Sequence, residues 1–227
     1  SMTESLEELV GKIKEDEQRM RWLDLRLLQE QINPHFLYNT LDTIVWLIEG
    51  NQEEEAVEMV VALSDFFRLV LSKGRELISL REEKEHISSY LGIQAVRYRD
   101  ILEYEICIDP SLYEYQILKL TLQPLVENAI YHGIKTEEDR KGRLLITGQE
   151  REEDVLLTVE DDGIGMSEEA VRQLNGTINI LINDGSYGVK NVHQRIAIRY
   201  GKEYGLHYRK NESGGITVEI RLPKQET

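Results

Sequence analysis

The spacing of apolar residues changes near the middle of this 227-residue chain. Up to about residue 95, apolar residues recur every three or four positions, as on one face of an α-helix. Beyond Val96 the spacing shortens, and Leu102, Tyr104, Ile106 and Ile108 alternate with polar residues, as in a half-buried strand. The change predicts two domains: an all-helical one over residues 1–95, and a mixed α/β one over 96–227 with helices on one side of a sheet.

The first 30 residues carry an apolar seam with steps of three and four, about three heptads long, formed by Leu6, Leu9, Ile13, Met20, Leu23 and Leu27. Such a seam needs a partner helix. A parallel homodimer stalk is the favoured interpretation, and one helix of a monomeric bundle is the alternative, because Asp16 and Glu30 weaken the seam. Pro34 interrupts this helix, so a kink or restart is expected there.

The remaining elements follow from periodicity and from the positions of glycine. Helices are predicted after Pro34 up to Gly50, and over 53–71, 80–98, 118–132, 167–174 and 189–200. Strands are predicted near 102–108, 143–149, 155–160, 206–210 and 216–222. The return helix 53–71 is expected to place Val57, Val60 and Val61 on its apolar side.

The acidic balance limits the classes of partner. Lys and Arg number 27 against 42 Asp and Glu, a net charge of −15, which disfavours nucleic acid and anionic membrane surfaces. ATP is not excluded, because a local nest of N–H groups or a Mg²⁺ ion can hold phosphates in an acidic protein. Cys107 is the only cysteine, which favours a reducing compartment. The sequence contains no apolar run of about 18 residues, so it predicts no membrane span.

The first candidate site lies at His35, directly after Pro34. A neutral imidazole nitrogen is nucleophilic at physiological pH and can hold a phosphoryl group. Asn39 lies one helical turn further on, where its amide can bind the ring or a phosphoryl oxygen. A helix-start histidine held by local contacts is the alternative.

The second candidate is the segment "LQPLVENAIYHGI", in which Glu127 and Asn128 interrupt an apolar helical face. An amide oxygen there could ligate Mg²⁺, which prefers oxygen ligands and keeps substrate phosphates in its shell. His132 and Gly133 could contact a ligand, or could instead form an ordinary helix end with glycine in the left-handed cap. Tyr131 and Lys135 follow closely enough to contact phosphate.

Two glycine loops form the remaining candidates. Asp161-x-Gly163-x-Gly165 follows an apolar strand, and a carboxylate there can accept a hydrogen bond from an exocyclic amine such as that of adenine. Gly185 and Gly188 precede a helix, whose free N–H groups suit phosphate. Each motif by itself is equally consistent with a tight turn or a helix cap. His86, His193 and His207 are expected on solvated faces, with no role.

Taken in order, these motifs resemble those of sensor histidine kinases of the LytS/YesM-type branch. Residues 33–39 read Asn-Pro-His-Phe-Leu-Tyr-Asn and match the acceptor box of that branch. "LQPLVENAIYHGI" matches its asparagine box, "DDGIGM" its first glycine box and "YGVKNVHQRI" its second. The resemblance covers roughly residues 25–222.

The resemblance implies an α+β chain: helical dimerisation and phosphoacceptor hairpins that form a four-helix bundle as a homodimer, then an α/β-sandwich ATP-binding domain of the Bergerat (GHKL) type. It implies that ATP phosphorylates His35 and that an aspartate of a response regulator receives the group. By position, Asn128 would hold Mg²⁺, Asp161 would bind adenine, and Gly163, Gly165 and Gly188 would shape the nucleotide loops. It also implies the cytoplasmic part of a sensor anchored in a membrane through a segment outside these 227 residues.

Two departures from the family pattern keep other functions open. Phe36 stands where many histidine kinases have an acid that accepts the ring proton, so Glu127 or Glu30 is only a candidate base. Ser186 replaces the first glycine of the second glycine box. The alternatives are a scaffold that binds nucleotide without phosphoryl transfer and a GHKL-type ATPase that does not need His35.

Overall fold

The computed structural model describes residues 34–70, 75–134, 140–178 and 188–225. Contacts divide the chain into two compact units, Ser1–Glu53 and Glu54–Thr227. The heptad segment over residues 6–27 and the kink expected before Pro34 lie outside the described residues. The domain boundary near Val96 stays a prediction.

In the first unit, helix α1 spans Pro34–Glu49. It begins at a proline, which suits the first helical position because its missing N–H would be unpaired there anyway. The helix ends at Gly50 and Asn51, and Asn51 adopts a left-handed φ of 54°. Its buried side chains share one face: Phe36, Thr40, Ile44 and Leu47.

Helix α2 spans Glu53–Val70 and carries apolar side chains on more than one face. Ala56, Met59, Phe66 and Val70 are buried. The valines that the sequence placed on its apolar side are exposed: Val57 to 62%, Val60 to 50% and Val61 to 54%. The spacing of apolar residues predicts an apolar stripe on α2, but it does not predict whether that stripe is buried.

The second unit continues with seven strands and four helices among its described residues. The strands are β1 (Leu77–Ser79), β2 (Leu102–Ile108), β3 (Gln116–Leu118), β4 (Gly142–Glu150), β5 (Asp154–Asp161), β6 (Gly205–Lys210) and β7 (Ile216–Pro223). The helices are α3 (Leu80–Arg97), α4 (Gln123–Asn128), α5 (Glu168–Ile178) and α6 (Val189–Tyr200). A 3₁₀ turn covers Pro110–Leu112, and α4 runs directly into a π-helical segment, Ala129–Ile134.

The main sheet has the strand order β2-β4-β5-β7-β6, with β2 and β4 parallel and the other neighbours antiparallel. Its register gives one apolar face, which includes Leu144, Ile146, Leu157, Val159, Val218 and Ile220. The other face is more polar, and Thr147 and Thr158 share a hydrogen bond of 2.7 Å there. This two-faced sheet confirms the predicted α/β sandwich. Asp161 is the last residue on the apolar face of β5.

The helix predicted over 118–132 begins later and continues further. Residues Gln116–Leu118 form β3 and pair antiparallel with β1, so the helix begins only at Gln123, beside Pro124. Its π-helical continuation includes Gly133. Helix α5 is also longer than predicted and reaches Ile178.

Two of the three histidines expected on solvated faces are buried. His86 is 2% exposed and His193 is 6% exposed, whereas His207 is exposed as predicted. His86 lies on α3, which starts with a capping box between Ser79 and Glu82. His193 accepts a hydrogen bond of 3.0 Å from the Leu206 N–H at Nδ1. The expectation was wrong because both imidazoles have partners that lie far away in sequence.

Cys107 is exposed on β2, an edge strand of the sheet, and its thiol donates to Glu105. Within the described part of the chain, no helix is both long enough and apolar enough to cross a membrane.

Candidate functional site

Asp161 ends the central strand β5 with a carboxyl group that is largely withdrawn from water. The residue is 5% exposed, and its Oδ1 accepts a hydrogen bond of 3.0 Å from the Gly163 N–H. Burial raises the pKa of Asp161 to about 6, although the N–H groups of Gly163 and Ile216 oppose the shift. A buried carboxyl of this kind favours a ligand that brings a further N–H donor, since each carboxyl oxygen can accept more than one hydrogen bond.

Glycines allow three backbone segments to meet around Asp161. A Cβ on Gly133 would lie 2.6 Å from Asp161 Oδ1, and a Cβ on Gly163 would lie 2.7 Å from Gly133 Cα and nearer still to its carbonyl group. Gly165 has a left-handed φ of 63°, and a Cβ there would collide with the Gly214 carbonyl. Real Cβ atoms do not tolerate such distances, so these glycines are required by close approach.

This geometry corrects one interpretation of the asparagine box. Gly133 was open to assignment as a left-handed helix cap, but it lies inside the π-helical segment and is not among the glycines with positive φ. It is glycine because the Gly163 turn and Asp161 lie against it. π-Helical segments of this length are uncommon and occur often at functional sites.

The polar residues of the asparagine box differ in their surroundings. Glu127 is half-buried and accepts a hydrogen bond of 2.8 Å from Gln123 Nε2, and burial raises the pKa of its carboxyl. Asn128 is half-buried, and its amide forms no side-chain hydrogen bond with the described residues. His132 is exposed. Asn128 therefore presents an amide oxygen of the kind that Mg²⁺ accepts.

Glu83 on α3 fixes the start of α4, which carries these residues. Its side chain is fully buried, and its two oxygens accept N–H bonds of 3.1 Å from Leu120 and 2.8 Å from Leu122. Leu120 adopts a left-handed φ of 58°, which is strained for a leucine. The Glu83 carboxyl therefore stabilises a backbone turn that local propensity opposes.

We expect Glu83 to make stability depend on pH. Burial raises its pKa to about 7, so between pH 4.5 and 7 the folded chain holds a proton that the unfolded chain has lost. The resulting stabilisation is complete below about pH 4.5 and is lost as the pH rises through 7. Between pH 5 and pH 7.5, the free energy of unfolding measured in urea should fall by roughly 2–3 kcal/mol more for the wild type than for Glu83→Gln. An equal change of the unfolding free energy with pH in the two proteins would contradict this prediction.

Arg140 and Arg143 hold Asp162, a contact that sequence reasoning missed. Arg140 Nη2 lies 2.6 Å from Asp162 Oδ2, and the Arg143 N–H donates to Asp162 Oδ1 at 2.6 Å. These bonds anchor the turn that follows Asp161 to the start of β4. The second acid of "DDG" is a sequence signal for such an anchor, but it does not identify the partner.

His35 and Asn39 lie on the exposed side of α1, in the first unit. Asn39 Nδ2 is 3.0 Å from His35 Nδ1, the distance of a hydrogen bond between side chains one turn apart. When the amide donates, a neutral ring carries its proton on Nε2. The opposite amide orientation would accept from Nδ1–H, so that the lone pair of the neutral ring would lie on Nε2.

The second glycine loop is described only at its end. Gly188 precedes α6 and its carbonyl accepts the Asn191 N–H at 3.1 Å. A Cβ on Gly188 would meet open space, so packing within the described residues does not require glycine there. Gly185, Ser186 and Lys135 lie outside the described residues, and their predicted roles stay predictions.

Comparison with known families matches both parts of the chain. Residues 23–102 match the family described as "Histidine kinase". Residues 114–226 match "Histidine kinase-, DNA gyrase B-, and HSP90-like ATPase". The two-faced sheet, buried Asp161 and glycine contacts thus belong to an ATP-binding domain of the GHKL class.

The chain belongs to the sensor histidine kinases of the LytS/YesM type. It is 32% identical to sensor histidine kinase YesM of Bacillus subtilis over 98% of this chain, and to BtsS of Escherichia coli over 95%. Identity with sensor protein kinase HptS of Staphylococcus aureus is also 32%, over 97% of this chain. The chain spans only 37%, 36% and 42% of the lengths of these three relatives.

Among solved structures, the catalytic domain of histidine kinase ThkA matches with a TM-score of 0.49 and 14% identity, covering 66% of this chain and 97% of that one. The histidine kinase domain of a blue-light activated kinase from Erythrobacter litoralis matches with a TM-score of 0.47 and 20% identity, covering 88% and 92%.

Proposed function

We propose that this chain is the kinase core of a two-component sensor, in which ATP phosphorylates His35 and the phosphoryl group then passes to an aspartate of a response regulator. Residues 1–95 would supply the stalk, the dimerisation helices and the acceptor histidine. Residues 96–227 would supply the ATP-binding domain. Membership of the family and the order of its motifs support this proposal.

Phosphorylation of His35 requires only ATP and a base that accepts the ring proton. A lone pair of the His35 ring attacks the γ-phosphorus of ATP, a P–N bond forms, and the bond to the bridging oxygen breaks as ADP leaves with the electron pair. The ring proton passes to a base, for which Glu127 is our candidate. In the second step an aspartate oxygen of the regulator attacks phosphorus, the P–N bond breaks with its electron pair going to the ring nitrogen, and the ring regains its proton.

The ATP site would use residues of the second unit in distinct roles. Asp161 would accept the adenine amine, and Asn128 would ligate Mg²⁺, which neutralises phosphate charge when bound. The remaining residues with proposed nucleotide contacts are His132, Lys135, Gly163, Gly165, Gly185 and Gly188. The buried carboxyl of Asp161 and the glycines packed against it fit a flat base, because a Cβ on Gly133 or Gly215 would lie 2.6 or 2.9 Å from Asp161 Oδ1.

The observation that carries the proposal is the exposed His35, with Asn39 at 3.0 Å, inside the segment that matches the histidine kinase family. An exposed imidazole that a neighbouring amide orients suits nucleophilic attack.

Incubation with Mg²⁺ and γ-labelled ATP tests the proposal. Label on the protein that is stable to alkali and labile to acid would support phosphohistidine. Release of free phosphate without protein label would indicate a GHKL-type ATPase. Nucleotide binding with neither product would indicate a scaffold. Either of the last two results would overturn the proposed function.

We also propose that the whole protein is anchored in a membrane, with this chain in the cytoplasm. The relatives are named sensors and are more than twice the length of this chain, which supports a further sensory segment. Fractionation of cells that express the whole protein tests this.

A homodimer is the proposed assembly, and the exposed apolar side of α1 supports it. Leu41, Val45 and Ile48 lie at spacings of four and three, and they are 45%, 53% and 54% exposed. A stripe of this kind on one helical face is typical of a covered interface. A second copy fits because the histidine kinase family match spans both this helix and α2, which has exposed valines of its own.

Val45→Asp is expected to convert the dimer to a monomer. A carboxylate in an apolar interface loses hydration without gaining a partner, which should weaken association at least about 100-fold. Light scattering coupled to gel filtration measures the mass. Asp42→Asn, an exposed charge change on the same helix, is the control and should stay dimeric. A dimeric Val45→Asp protein would contradict the predicted interface.

A further inference from the structure

Helix α3 buries a row of polar side chains on one face. Glu83, His86, Tyr90 and Gln94 follow one another at steps of three, four and four, and none is more than 2% exposed. Buried polar groups are costly unless they form hydrogen bonds. Apolar residues at these positions would avoid that cost, so the contacts that these four residues make require an explanation.

Three of them hold the asparagine-box helix at successive points. Glu83 accepts the N–H groups of Leu120 and Leu122, just before α4 begins. His86 lies against Gln123, the first residue of α4, and Gln94 Nε2 donates to the Tyr131 hydroxyl at 3.2 Å. The row therefore sets the position of α4 and of the π-helical segment along α3.

The central contact reaches a candidate catalytic residue. His86 Nε2 and Gln123 Oε1 are 2.7 Å apart, and Gln123 Nε2 donates to Glu127 Oε1 at 2.8 Å. Burial lowers the pKa of His86, which favours the neutral ring. A neutral ring that donates from Nε2 fixes the Gln123 amide with its oxygen toward the ring, so the amide nitrogen faces the carboxylate. The reversed amide would place two donors together and two acceptors together.

A ring from α2 holds the imidazole plane. Phe66, 1% exposed, stacks on His86 with ring centroids 4.6 Å apart and an interplanar angle of 18°. His86 Nδ1 is buried near the Phe66 carbonyl without a hydrogen bond of ordinary geometry to any described residue. Within the described residues the imidazole is therefore held by the stacked Phe66 ring and by the contact of its Nε2 with Gln123.

We propose that His86 is a positioning residue for phosphoryl transfer: through Gln123 it orients Glu127 beside Asn128, and Phe66 makes this orientation depend on helix α2. This inference rests on the proposed kinase function. His86 does not touch the nucleotide in this scheme. Its loss should slow the transfer step and leave ATP binding largely unchanged.

Two substitutions of His86 separate positioning from packing. Leucine fills a similar volume but cannot donate to Gln123, whereas glutamine places an N–H donor close to the position of Nε2. We expect His86→Leu to lower the maximal rate of acid-labile labelling roughly 10- to 100-fold, with KM for ATP within about twofold of wild type. His86→Gln should recover most of that loss. Rates are normalised to the number of sites that bind a fluorescent ATP analogue, so partial unfolding does not count as slow chemistry.

Gln123→Met tests the other end of the link. If the two residues act in series, the double variant His86→Leu/Gln123→Met should be no slower than the slower single variant. A His86→Leu rate equal to wild type, equal losses in the leucine and glutamine variants, or a loss confined to KM would each overturn the inference. A wild-type protein without acid-labile label would overturn the proposed function and this inference together, whereas the other results leave the kinase assignment intact.

Discussion

Protein that carries His35→Gln is expected to bind ATP as wild type does and to acquire no acid-labile phosphoryl label. Glutamine is similar in length and can still bond Asn39, but its amide nitrogen has no available lone pair for attack on phosphorus. The label should fall at least about 10³-fold, the scale of loss when an attacking group is removed. His35 is exposed on the first turn of α1, so we expect little change in the folding free energy.

The matched control is His207→Gln, which removes an exposed histidine from β6. It should keep full labelling, because His207 lies outside the acceptor box, the asparagine box and the two glycine boxes. Quantitative autoradiography after alkaline and acid treatment distinguishes phosphohistidine from other adducts. Undiminished label on the His35→Gln protein would refute His35 as the acceptor.

The second large effect is expected at Gly163. In Gly163→Ala the new Cβ would lie 2.7 Å from Gly133 Cα, and nearer to the Gly133 carbonyl group. Both are backbone atoms and cannot rotate away, so the turn after Asp161 and the π-helical segment must separate. Overpacking of this kind costs about 1–3 kcal/mol, which would weaken ATP binding by roughly 10- to 100-fold. Calorimetric titration with a non-hydrolysable ATP analogue measures the affinity.

Gly176→Ala provides the matched control, because the same methyl group at that position meets open space on α5. It should leave ATP affinity unchanged and raise stability by about 0.5–1 kcal/mol, since alanine is the better helix former. Wild-type affinity in Gly163→Ala would mean that the close approach of the two glycines is not needed for binding.

The sequence predicted most elements because their apolar periods are local. The strand around Val218 alternates apolar and polar residues, the strand around Leu157 is an apolar run, and the helix after Pro34 carries regular apolar spacing. The pairing of β1 with β3 escaped prediction, because each strand has only three residues and the two are separated by α3, β2 and a 3₁₀ turn. That pairing is also why α4 begins at Gln123 rather than near residue 118.

The candidate site was predictable in its residue types and not in its contacts. Asp161 and Gly163 stood out because a carboxylate and glycines after an apolar strand suit a flat ligand. The contact of Gly133 with Gly163 joins positions 30 apart, and no period or spacing indicates it. His86 was misjudged for a similar reason: its partners Phe66 and Gln123 lie 20 and 37 positions away.

The single thiol of the chain offers a way to observe these domains. Cys107 is the only cysteine and is exposed on β2, so a maleimide dye or a nitroxide would attach once per protomer without any substitution. The hydrogen bond to Glu105 raises the pKa of the thiol, so modification should be slow at neutral pH and faster in mildly alkaline buffer. Two probes in a dimer would then report the separation of the ATP-binding domains by energy transfer or pulsed spin resonance as nucleotide binds and leaves.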